Sequence, residues 1–321
     1  MLAARAISMN ADDPLSGLSV DEVPDPEPPE GWTVVEVRAA SMNHHDLWSL
    51  RGLGMKEEWL PVTLGTDAAG VTEDGEEVIC HAVLSDPADG GGDETLSPDL
   101  HLLSERGIDG TLAQRVAVPR RNLVPKPPEL SFEQAACLPT AYLTAYVMLF
   151  RRGGLQPGQA VLVQGAGGGV ASAAILLATA AGARVYATSR SPEKLAWAEE
   201  HGAVGIEHGA RLPERVHVVV ETVGEATWRH SLRSLRTGGV LTVSGRTSGD
   251  PGADLALVFW KGLTIAGSTM GRRSELQVVA SFLATSGIQP AIDSVHDLAD
   301  AAVAAARMEA GETLGKVVLA P

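Results

Sequence analysis

Residues 160–171 read AVLVQGAGGGVA, which is four apolar residues, a glutamine, a turn with four glycines in five positions, and the start of an apolar stretch. The apolar residues 160–163 predict a buried strand, and the Ala- and Leu-rich residues 170–181 predict a helix. A glycine-rich turn at such a junction lets the backbone approach a diphosphate, whose charge the free amides and the helix dipole favour. The stretch therefore predicts the dinucleotide-binding turn of a doubly wound α/β domain.

The sequence after this turn continues to alternate between strand and helix. Residues 184–188 predict a second strand, and Ser191 followed by Pro192 has the pattern of an N-cap and a first helical residue. Further strands are expected at 216–220, 240–243 and 263–266. This alternation predicts a parallel sheet covered by helices. The alternative interpretation of the glycines is a close-packed turn in an α/β protein that binds no nucleotide.

The residues that follow the second predicted strand bear on which dinucleotide is bound. An NAD site usually has Asp or Glu there, about 20 residues beyond the glycines, whereas this chain has Ser189 and Arg190. A carboxylate would repel a 2′-phosphate, and a guanidinium would hold it. Ser189, Arg190 and Lys194 therefore favour NADPH. The alternative is that Arg190 is a solvated loop residue and Lys194 an ordinary residue of a helix surface.

Length and composition narrow the class of protein. The chain has 321 residues, of which 45% are hydrophobic and 20% charged, and its net charge is 25 − 40 = −15. This length predicts two domains, and the composition excludes a disordered chain. The acidic balance argues against nucleic-acid binding, and the longest apolar run, residues 167–183, is too short to span a bilayer. We expect a soluble, cytoplasmic protein that acts on a small molecule.

The part of the chain before the α/β pattern is predicted to be rich in β structure. Residues 33–38 alternate as a half-buried strand does, and residues 77–80 are a shorter candidate. The proline-rich residues 21–30 predict an extended connector, and residues 85–99, rich in Asp, Gly and Ser, predict an exposed loop. Residues 123–128 contain three prolines and predict a rigid connector to the α/β domain.

Seven further segments carry a resemblance to a known family: ASMNHHD at 40–46, LGTDAAG at 64–70, GTLAQ at 110–114, AACLPTAYLTA at 135–145, SPEK at 191–194, ETVG at 221–224 and GSTMG at 267–271. With the glycine turn they resemble the medium-chain dehydrogenase/reductase superfamily, and in particular its zinc-independent quinone oxidoreductase-like branch. The resemblance implies a Rossmann domain, residues 123–269, inserted in a GroES-like β-rich domain, residues 1–122 and 270–321. It also implies NADPH in the cleft between them.

The resemblance extends the predicted cofactor site beyond the glycine turn. Asn43, Thr140 and Thr144 match positions near the nicotinamide, and the loops after the later strands also contact the cofactor in such proteins. The predicted cofactor-binding residues are Asn43, Thr140, Thr144, Gly165, Ala166, Gly167, Gly168, Gly169, Val170, Ser189, Arg190, Lys194, Thr222, Val223, Ser244, Gly245 and Arg246. The resemblance further implies a homodimer through an edge strand near residues 260–265.

The same resemblance implies that no metal is bound. Zinc-dependent relatives carry Cys, a His-Glu pair and a second Cys or acid where this chain has Asn43, Thr66–Asp67 and Thr140. A catalytic zinc site needs three protein ligands, and no such set remains. The two cysteines, Cys80 and Cys137, are also too few for a four-cysteine structural site.

The neighbouring histidines offer another candidate metal site. His44, His45 and Asp46 could be imagined as a metal cluster. Adjacent residues of an extended segment point in opposite directions, however, and no further ligand accompanies them at a suitable spacing. A surface or packing role is therefore favoured for the two histidines.

Four residues are candidates for the catalytic site: Asn43, Asp46, Trp48 and Tyr142. Asp46 is expected to orient the active-site loop. Trp48 follows two residues later, where related quinone reductases often have Tyr, and it either stacks on a planar substrate or belongs to the core. Tyr142 is a possible proton donor or a packing residue. For a quinone, solvent protonation of the product anion would need no dedicated acid.

Without zinc or a flavin motif, the sequence favours reduction of a conjugated acceptor over oxidation of an alcohol. A quinone or an α,β-unsaturated carbonyl compound spreads the arriving negative charge onto its own oxygen. The principal hypothesis is an NADPH-dependent reductase of quinones, enones or enals. The alternatives are a biosynthetic enoyl reductase acting on a tailored intermediate, a relative of zinc-type alcohol dehydrogenases that lost its metal, and an NADPH-binding protein without catalysis.

Overall fold

Strands dominate the first part of the computed structural model, which describes all of residues 1–321. Alternating buried and exposed residues in the longest of them put one face of the sheet in a core, as the sequence predicts for residues 33–38. The elements are β1 (Leu2–Ala6), β2 (Leu18–Glu22), β3 (Trp32–Ser41), α1 (His44–Leu50), β4 (Val62–Thr63), β5 (Asp67–Thr72), β6 (Glu77–Cys80), β7 (Arg115–Pro119), β8 (Leu123–Pro125) and α2 (Phe132–Ala136).

The middle of the chain forms the predicted α/β domain. Its strands are all parallel, in the order β11-β10-β9-β12-β13-β14, and helices separate most of them in sequence. The elements are α3 (Leu143–Tyr146), β9 (Ala160–Val163), α4 (Gly169–Ala180), β10 (Arg184–Ser189), α5 (Pro192–Glu200), β11 (Val204–Glu207), β12 (Val216–Glu221), α6 (Glu225–Ser234), β13 (Leu235–Val243), α7 (Leu255–Lys261) and β14 (Thr264–Gly267). This is the strand order of the doubly wound dinucleotide-binding fold, so the predicted fold class is confirmed.

The C-terminal tail returns to the first sheet. Its elements are α8 (Arg273–Ser286), β15 (Ile292–Asp297), α9 (Ala301–Glu309) and β16 (Lys316–Ala320). Strand β16 pairs antiparallel with β3, and the backbone N–H of Met42 donates to Val317 O at 3.0 Å. The sheet order is β15-β16-β3-β5-β6-β8, with β7 also on β3. The chain thus divides into a first unit, Met1–Ala141 with Arg272–Pro321, and a second unit, Tyr142–Gly271.

The first unit extends beyond the boundary expected between residues 122 and 123. Residues 123–125 form β8, which pairs antiparallel with β6, although we predicted a connector there. Proline is tolerated because β8 is an edge strand, where a missing N–H leaves no neighbour unpaired. Helix α2 also belongs to this unit, since the Ser41 hydroxyl donates to Ala136 O at 2.9 Å.

The segment 85–99 is not the exposed loop that its composition predicts. It forms two short 3₁₀ turns in which Asp93 and Glu94 are buried. Asp93 accepts a hydrogen bond from the guanidinium of Arg272 at 3.0 Å, and Glu94 accepts one from the backbone N–H of Arg273 at 2.6 Å. Burial of the two carboxylates is possible because the start of α8 supplies donors for both. None of the helices combines the length and hydrophobicity needed to cross a membrane.

Candidate functional site

The glycine turn of the second unit has the geometry of an open backbone cradle. Gly165 has φ +80°, a conformation that side chains rarely allow, and an ideal Cβ at Gly167 would lie 2.3 Å from Lys194 Cδ. Helix α4 begins directly after the turn, and its N-cap, Gly168, provides no side chain to bond the first amides. These N–H groups are therefore available to an anion at the positive end of the helix dipole.

A buried network of polar side chains is hydrogen-bonded to the glycine turn. The Thr188 hydroxyl accepts one hydrogen bond from the backbone N–H of Gly165 at 3.3 Å and donates to Gln164 Oε1 at 2.6 Å. Gln164 Nε2 donates to the Ser231 hydroxyl at 2.9 Å, and that hydroxyl donates to Glu221 Oε2 at 2.6 Å. The network joins the ends of β9, β10 and β12. Our sequence analysis did not identify it, although a polar residue at the end of each apolar strand is its visible signal.

Glu221 also fixes the loops that follow the later strands. Its Oε1 atom accepts hydrogen bonds from the backbone N–H groups of Val223 at 2.8 Å and Gly224 at 3.1 Å. The backbone N–H of Ser244 donates to Glu221 O at 3.1 Å. The predicted segments 222–223 and 244–246 are therefore neighbours, and Glu221 holds the first through its side chain and the second through its backbone carbonyl.

The residues predicted to select the dinucleotide lie beside this turn. Lys194 packs its side chain against Gly167, and Ser191 caps α5 by accepting a hydrogen bond from the Lys194 N–H. Arg190 is exposed and forms no ion pair. Arg246 is also exposed and pairs with Asp250 at 2.5 Å. The second unit thus brings a free guanidinium and an ammonium to one end of β10. Thr144 is buried in α3.

In the first unit, residues from four separate segments form a ring of hydrogen bonds. Asn43 Nδ2 donates to Thr66 Oγ1 at 3.1 Å, and Thr66 Oγ1 lies 3.0 Å from Thr140 Oγ1. Thr140 donates to Asp67 Oδ1 at 2.5 Å. The ammonium of Lys316 closes this polar ring by donating to both Asp67 and Asn43. We name these five residues the polar ring.

Zinc does not fit the polar ring. Asp67 is its only carboxylate, the other ligand positions are hydroxyls and an amide, and an ammonium lies among them. A zinc site needs at least three thiolate, imidazole or carboxylate ligands. Neither thiol is a member of the polar ring, and burial raises the pKa of Cys80 and Cys137 to about 12. No group of three His, Cys, Asp or Glu residues is arranged to hold a metal.

Asp46 is hydrogen-bonded to the segment that carries Asn43, the loop that we expect it to orient. Its carboxylate is fully buried and accepts hydrogen bonds from the backbone N–H groups of Asn43 at 2.8 Å and Gly65 at 3.0 Å. Burial raises the pKa of Asp46, and the charge of His45 and the Asn43 amide oppose that rise. One side chain therefore ties the start of α1 to the turn that precedes Thr66.

The two aromatic candidates lie outside the polar ring. Trp48 is half-buried on α1, with its ring centroid 6.3 Å from that of His44, and its predicted role in stacking on a substrate stays a prediction. Tyr142 is 0% exposed, at the end of a π-helical turn in the second unit. Complete burial favours the packing role that we considered for Tyr142.

Lys316 is the residue of this site that our sequence analysis missed. It is 3% exposed and starts β16, and its Nζ also donates to Met42 O at 2.7 Å. The signal in the sequence is one lysine directly before the apolar residues 317–320. Such a lysine ordinarily marks the exposed start of a strand, and only the tertiary structure shows that it points into a core.

His45 belongs to an ion pair and not to a metal cluster. Its Nε2 atom lies 2.9 Å from Glu105 Oε1, whereas His44 is exposed. Burial alone would lower the pKa of His45, but the hydrogen bond that its Nε2–H donates to Glu105 and the nearby carboxylates raise it above its ordinary value. Burial alone would raise the pKa of Glu105, but the hydrogen bond from His45 and the charge of His45 lower it.

These shifts predict a pH-dependent contribution to stability. Because folding raises the pKa of His45, its charged form stabilises the folded state fully below the pKa of the unfolded chain, about 6.5. This contribution is lost as the pH rises through the pKa of His45 in the folded state. Because folding lowers the pKa of Glu105, its carboxylate contributes to stability above about pH 4.3. This contribution is lost as the pH falls through the pKa of Glu105 in the folded state. The His45→Gln substitution should therefore cost about 1 kcal/mol near pH 6 and less at pH 9 in denaturant unfolding. The exposed His208→Gln variant is the control, and an equal cost of His45→Gln at both pH values would contradict the expectation.

Comparison with known proteins identifies the family. An alcohol dehydrogenase GroES-like domain matches residues 29–128, and a zinc-binding dehydrogenase domain matches residues 169–285. A zinc-type alcohol dehydrogenase-like protein of Schizosaccharomyces pombe is 30% identical over 90% of this chain and 90% of its own. An acryloyl-coenzyme A reductase of Metallosphaera sedula is 30% identical over 94% of this chain and 96% of its own.

A solved structure agrees with these relatives. The crystal structure of an NAD-dependent alcohol dehydrogenase matches with a TM-score of 0.91 and 32% sequence identity, over 100% of both chains. The expected combination of a GroES-like domain and a Rossmann domain is therefore confirmed, and the relatives support oxidoreductase chemistry. The chain belongs to the medium-chain dehydrogenase/reductase superfamily.

Proposed function

We propose that this protein is an NADPH-dependent reductase that delivers hydride to the β-carbon of an α,β-unsaturated carbonyl compound, with enoyl thioesters as the leading substrate class. The observation that carries the proposal is the polar ring, which offers hydroxyls, an amide and a neutralised carboxylate where a metal-dependent alcohol dehydrogenase needs metal ligands. The acryloyl-coenzyme A reductase relative, which aligns along nearly its whole length, supports the same substrate class.

The chemistry of the acceptor explains this preference. Oxidation of an alcohol passes through an alkoxide, which a Lewis acid normally stabilises. A conjugated carbonyl compound places the arriving charge on its own oxygen, so hydrogen-bond donors are sufficient. Asn43 Nδ2 has a second N–H whose only contact, Ser41 O, is at a long 3.5 Å. We assign Asn43 the role of donor to the carbonyl oxygen.

The second unit supplies the cofactor site. Bound NADPH supplies the hydride. The glycine turn and the first amides of α4 hold the diphosphate, while Ser189, Arg190 and Lys194 bind the 2′-phosphate. The segments 222–223 and 244–246 line the remainder of the site, and the buried network beneath Gly165 keeps the turn in its binding conformation before the cofactor arrives.

The proton that completes the reduction comes from water. Asp46 is buried with both carboxylate oxygens bound to backbone N–H groups, and Tyr142 is fully buried. The Thr140 hydroxyl donates its proton to Asp67. An enolate that forms on the acceptor is basic enough to take a proton from solvent at neutral pH, so the site needs no dedicated acid.

The NADPH assignment predicts a selective loss in an Arg190→Ala variant. Removing the guanidinium should raise the dissociation constant for NADPH by about tenfold or more and leave that for NADH nearly unchanged, because only NADPH carries the 2′-phosphate. Fluorescence titration of both cofactors measures the two constants. The control is Arg211→Ala, which removes another exposed arginine of the same unit. Equal weakening of NADPH and NADH by Arg190→Ala would contradict the assignment.

The reaction itself is tested by following NADPH consumption with acryloyl and crotonyl thioesters, enals, quinones and, in the reverse direction, primary alcohols with NADP⁺. We expect kcat/KM for a thioester to exceed that for any quinone by about tenfold or more, since the relative reduces a thioester. Deuterium from labelled NADPH should appear at the β-carbon of the product. Turnover of quinones alone would contradict the thioester proposal and support the quinone part of our hypothesis from sequence, whereas tight NADPH binding without any turnover would indicate a non-catalytic protein.

We further propose that the protein is a homodimer through the free edge of the second sheet. Strand β14 pairs only with β13, and the adjacent helix α7 exposes Leu255, Phe259 and Trp260, the last with 78% of its surface accessible. Contiguous exposed apolar surface beside an unpaired strand edge is typical of an interface.

The dimer prediction is tested with the double substitution Trp260→Ser and Ile265→Lys. It removes the largest apolar side chain and puts a charge on the edge strand, so light scattering should show the mass of one chain in place of two. The Val303→Ser variant, on the exposed face of α9, is the control and should leave the mass unchanged. A monomeric parent protein, or a dimer that survives the double substitution, would contradict this interface.

A further inference from the structure

The chain between β13 and β14 has little core of its own. Every residue from 244 to 262 is exposed or half-buried, whereas Leu241 before them is 0% exposed and Leu263 after them is 9% exposed. Helix α7 lies within this stretch and buries none of its seven residues, although Leu257 and Val258 pack in part against the core. A helix of this length is marginal without packing, and a stretch with few buried contacts is among the least stable parts of a fold. We name residues 244–262 the edge segment.

The first half of the edge segment is tied to the start of α6. The backbone N–H of Ser248 donates to Val223 O at 2.7 Å, and the Ser248 hydroxyl donates to the same oxygen at 2.8 Å. That hydroxyl also accepts a hydrogen bond from the backbone N–H of Ala226 at 3.0 Å. The backbone N–H of Glu225 donates to Gly249 O at 3.1 Å. These bonds hold the part of the edge segment that directly follows its predicted cofactor contacts.

The second half of the edge segment is tied to the end of α6. Lys261, the last residue of α7, donates from Nζ to Leu232 O at 2.9 Å, to Arg233 O at 3.1 Å and to Leu235 O at 2.6 Å. The last carbonyls of a helix lack partners within it, and an ammonium there satisfies them. Helix α6 is therefore bound at both ends by the edge segment, once beside the cofactor-binding residues and once beside the edge strand β14.

Two binding events would act on the edge segment. Residues 244–246 line the proposed NADPH site, while Leu255, Phe259 and Trp260 are exposed on the proposed dimer surface. Either ligand has to order the same stretch of backbone. The ligand that binds first bears the entropic cost of that ordering, so the second ligand binds to a segment that is already in place.

We propose that the edge segment links NADPH binding to dimerisation, so that the protein dimerises more tightly with NADPH bound and the dimer binds NADPH more tightly than the monomer does. This linkage rests on the proposed dimer and not on the identity of the acceptor that is reduced. Linkage between two binding equilibria is reciprocal. Because a dimer has two cofactor sites, a gain of about tenfold in NADPH affinity on dimerisation requires a gain of about a hundredfold in dimer affinity at saturating NADPH.

The first experiment measures the dimer dissociation constant of the unmodified protein by fluorescence-detected sedimentation, without and with saturating NADPH. We expect NADPH to lower this constant by about a hundredfold. Where the dimer is too tight to dissociate, exchange of subunits between two labelled populations should slow by a similar factor. A dimer that is equally tight under both conditions would overturn the linkage alone. A protein that stays monomeric under both conditions would overturn the proposed dimer and the linkage together.

The second experiment tests the ordering of the edge segment in the monomeric double variant Trp260→Ser/Ile265→Lys. Fluorescence titration should show that this variant binds NADPH about tenfold more weakly than the dimer does. Hydrogen exchange of the backbone amides of residues 255–262 should slow when NADPH is added to the variant, because the cofactor orders the segment without a partner. Exchange in α9 is the control and should not change. Unchanged exchange in residues 255–262 would overturn the ordering mechanism.

The third experiment removes the two ties separately. In Ser248→Ala and in Lys261→Met, the ratio of the dimer dissociation constants without and with NADPH should fall from about a hundredfold to about tenfold or less. A residue with only a structural role would change both constants and leave their ratio as it was. The controls Ser286→Ala and Lys126→Met remove a hydroxyl and an ammonium that donate to backbone carbonyls in the first unit, and they should keep the full ratio. The full ratio in both Ser248→Ala and Lys261→Met would overturn the assignment of the linkage to the edge segment.

Discussion

The pairing of β16 with β3 is the interaction on which the first unit depends. It brings the end of the chain back to a strand formed almost 280 residues earlier, and it places Val318 opposite Ser41. Because Lys316 starts β16, the same pairing sets the ammonium beside Asn43 and Asp67. One strand register therefore determines both the closure of the sheet and the charge of the site. A slip of one residue would point Lys316 to the opposite face of β16 and leave Asp67 without its partner.

Buried carboxylates organise the candidate sites of both units. Asp46 accepts hydrogen bonds from two backbone N–H groups and positions the segment that carries Asn43. Glu221 does the same for the loop after β12. A carboxylate is costly to bury, but backbone donors that converge on it compensate for the lost hydration and are fixed in return. Loops that would otherwise be flexible can thus hold binding groups in place before a ligand arrives.

The sequence was sufficient for the second unit because its signals are local. Strand, glycine turn and helix lie within residues 160–181, and the Ser191 cap lies within the next helix, so propensity and spacing alone predict them. The first unit depends on contacts that sequence patterns do not reveal. Glu94 and Arg273 are 179 residues apart, and Lys316 and Asn43 are 273 apart. The misassigned loop 85–99 and the overlooked Lys316 share this cause: a charged residue looks exposed until its distant partner is known.

Under the proposed function, the charge of the polar ring explains the type of acceptor. A divalent metal adds positive charge that can stabilise an alkoxide, whereas Lys316 and Asp67 together add none. A site of this kind can assist only reactions in which the substrate itself delocalises the arriving charge, since hydrogen bonds from an amide then supply the remaining stabilisation. The presence of hydroxyls and an amide where relatives carry metal ligands would therefore favour conjugated carbonyl compounds over alcohols without any change in strand order. The specificity would then lie in the side chains of the polar ring and not in the architecture of the sheet.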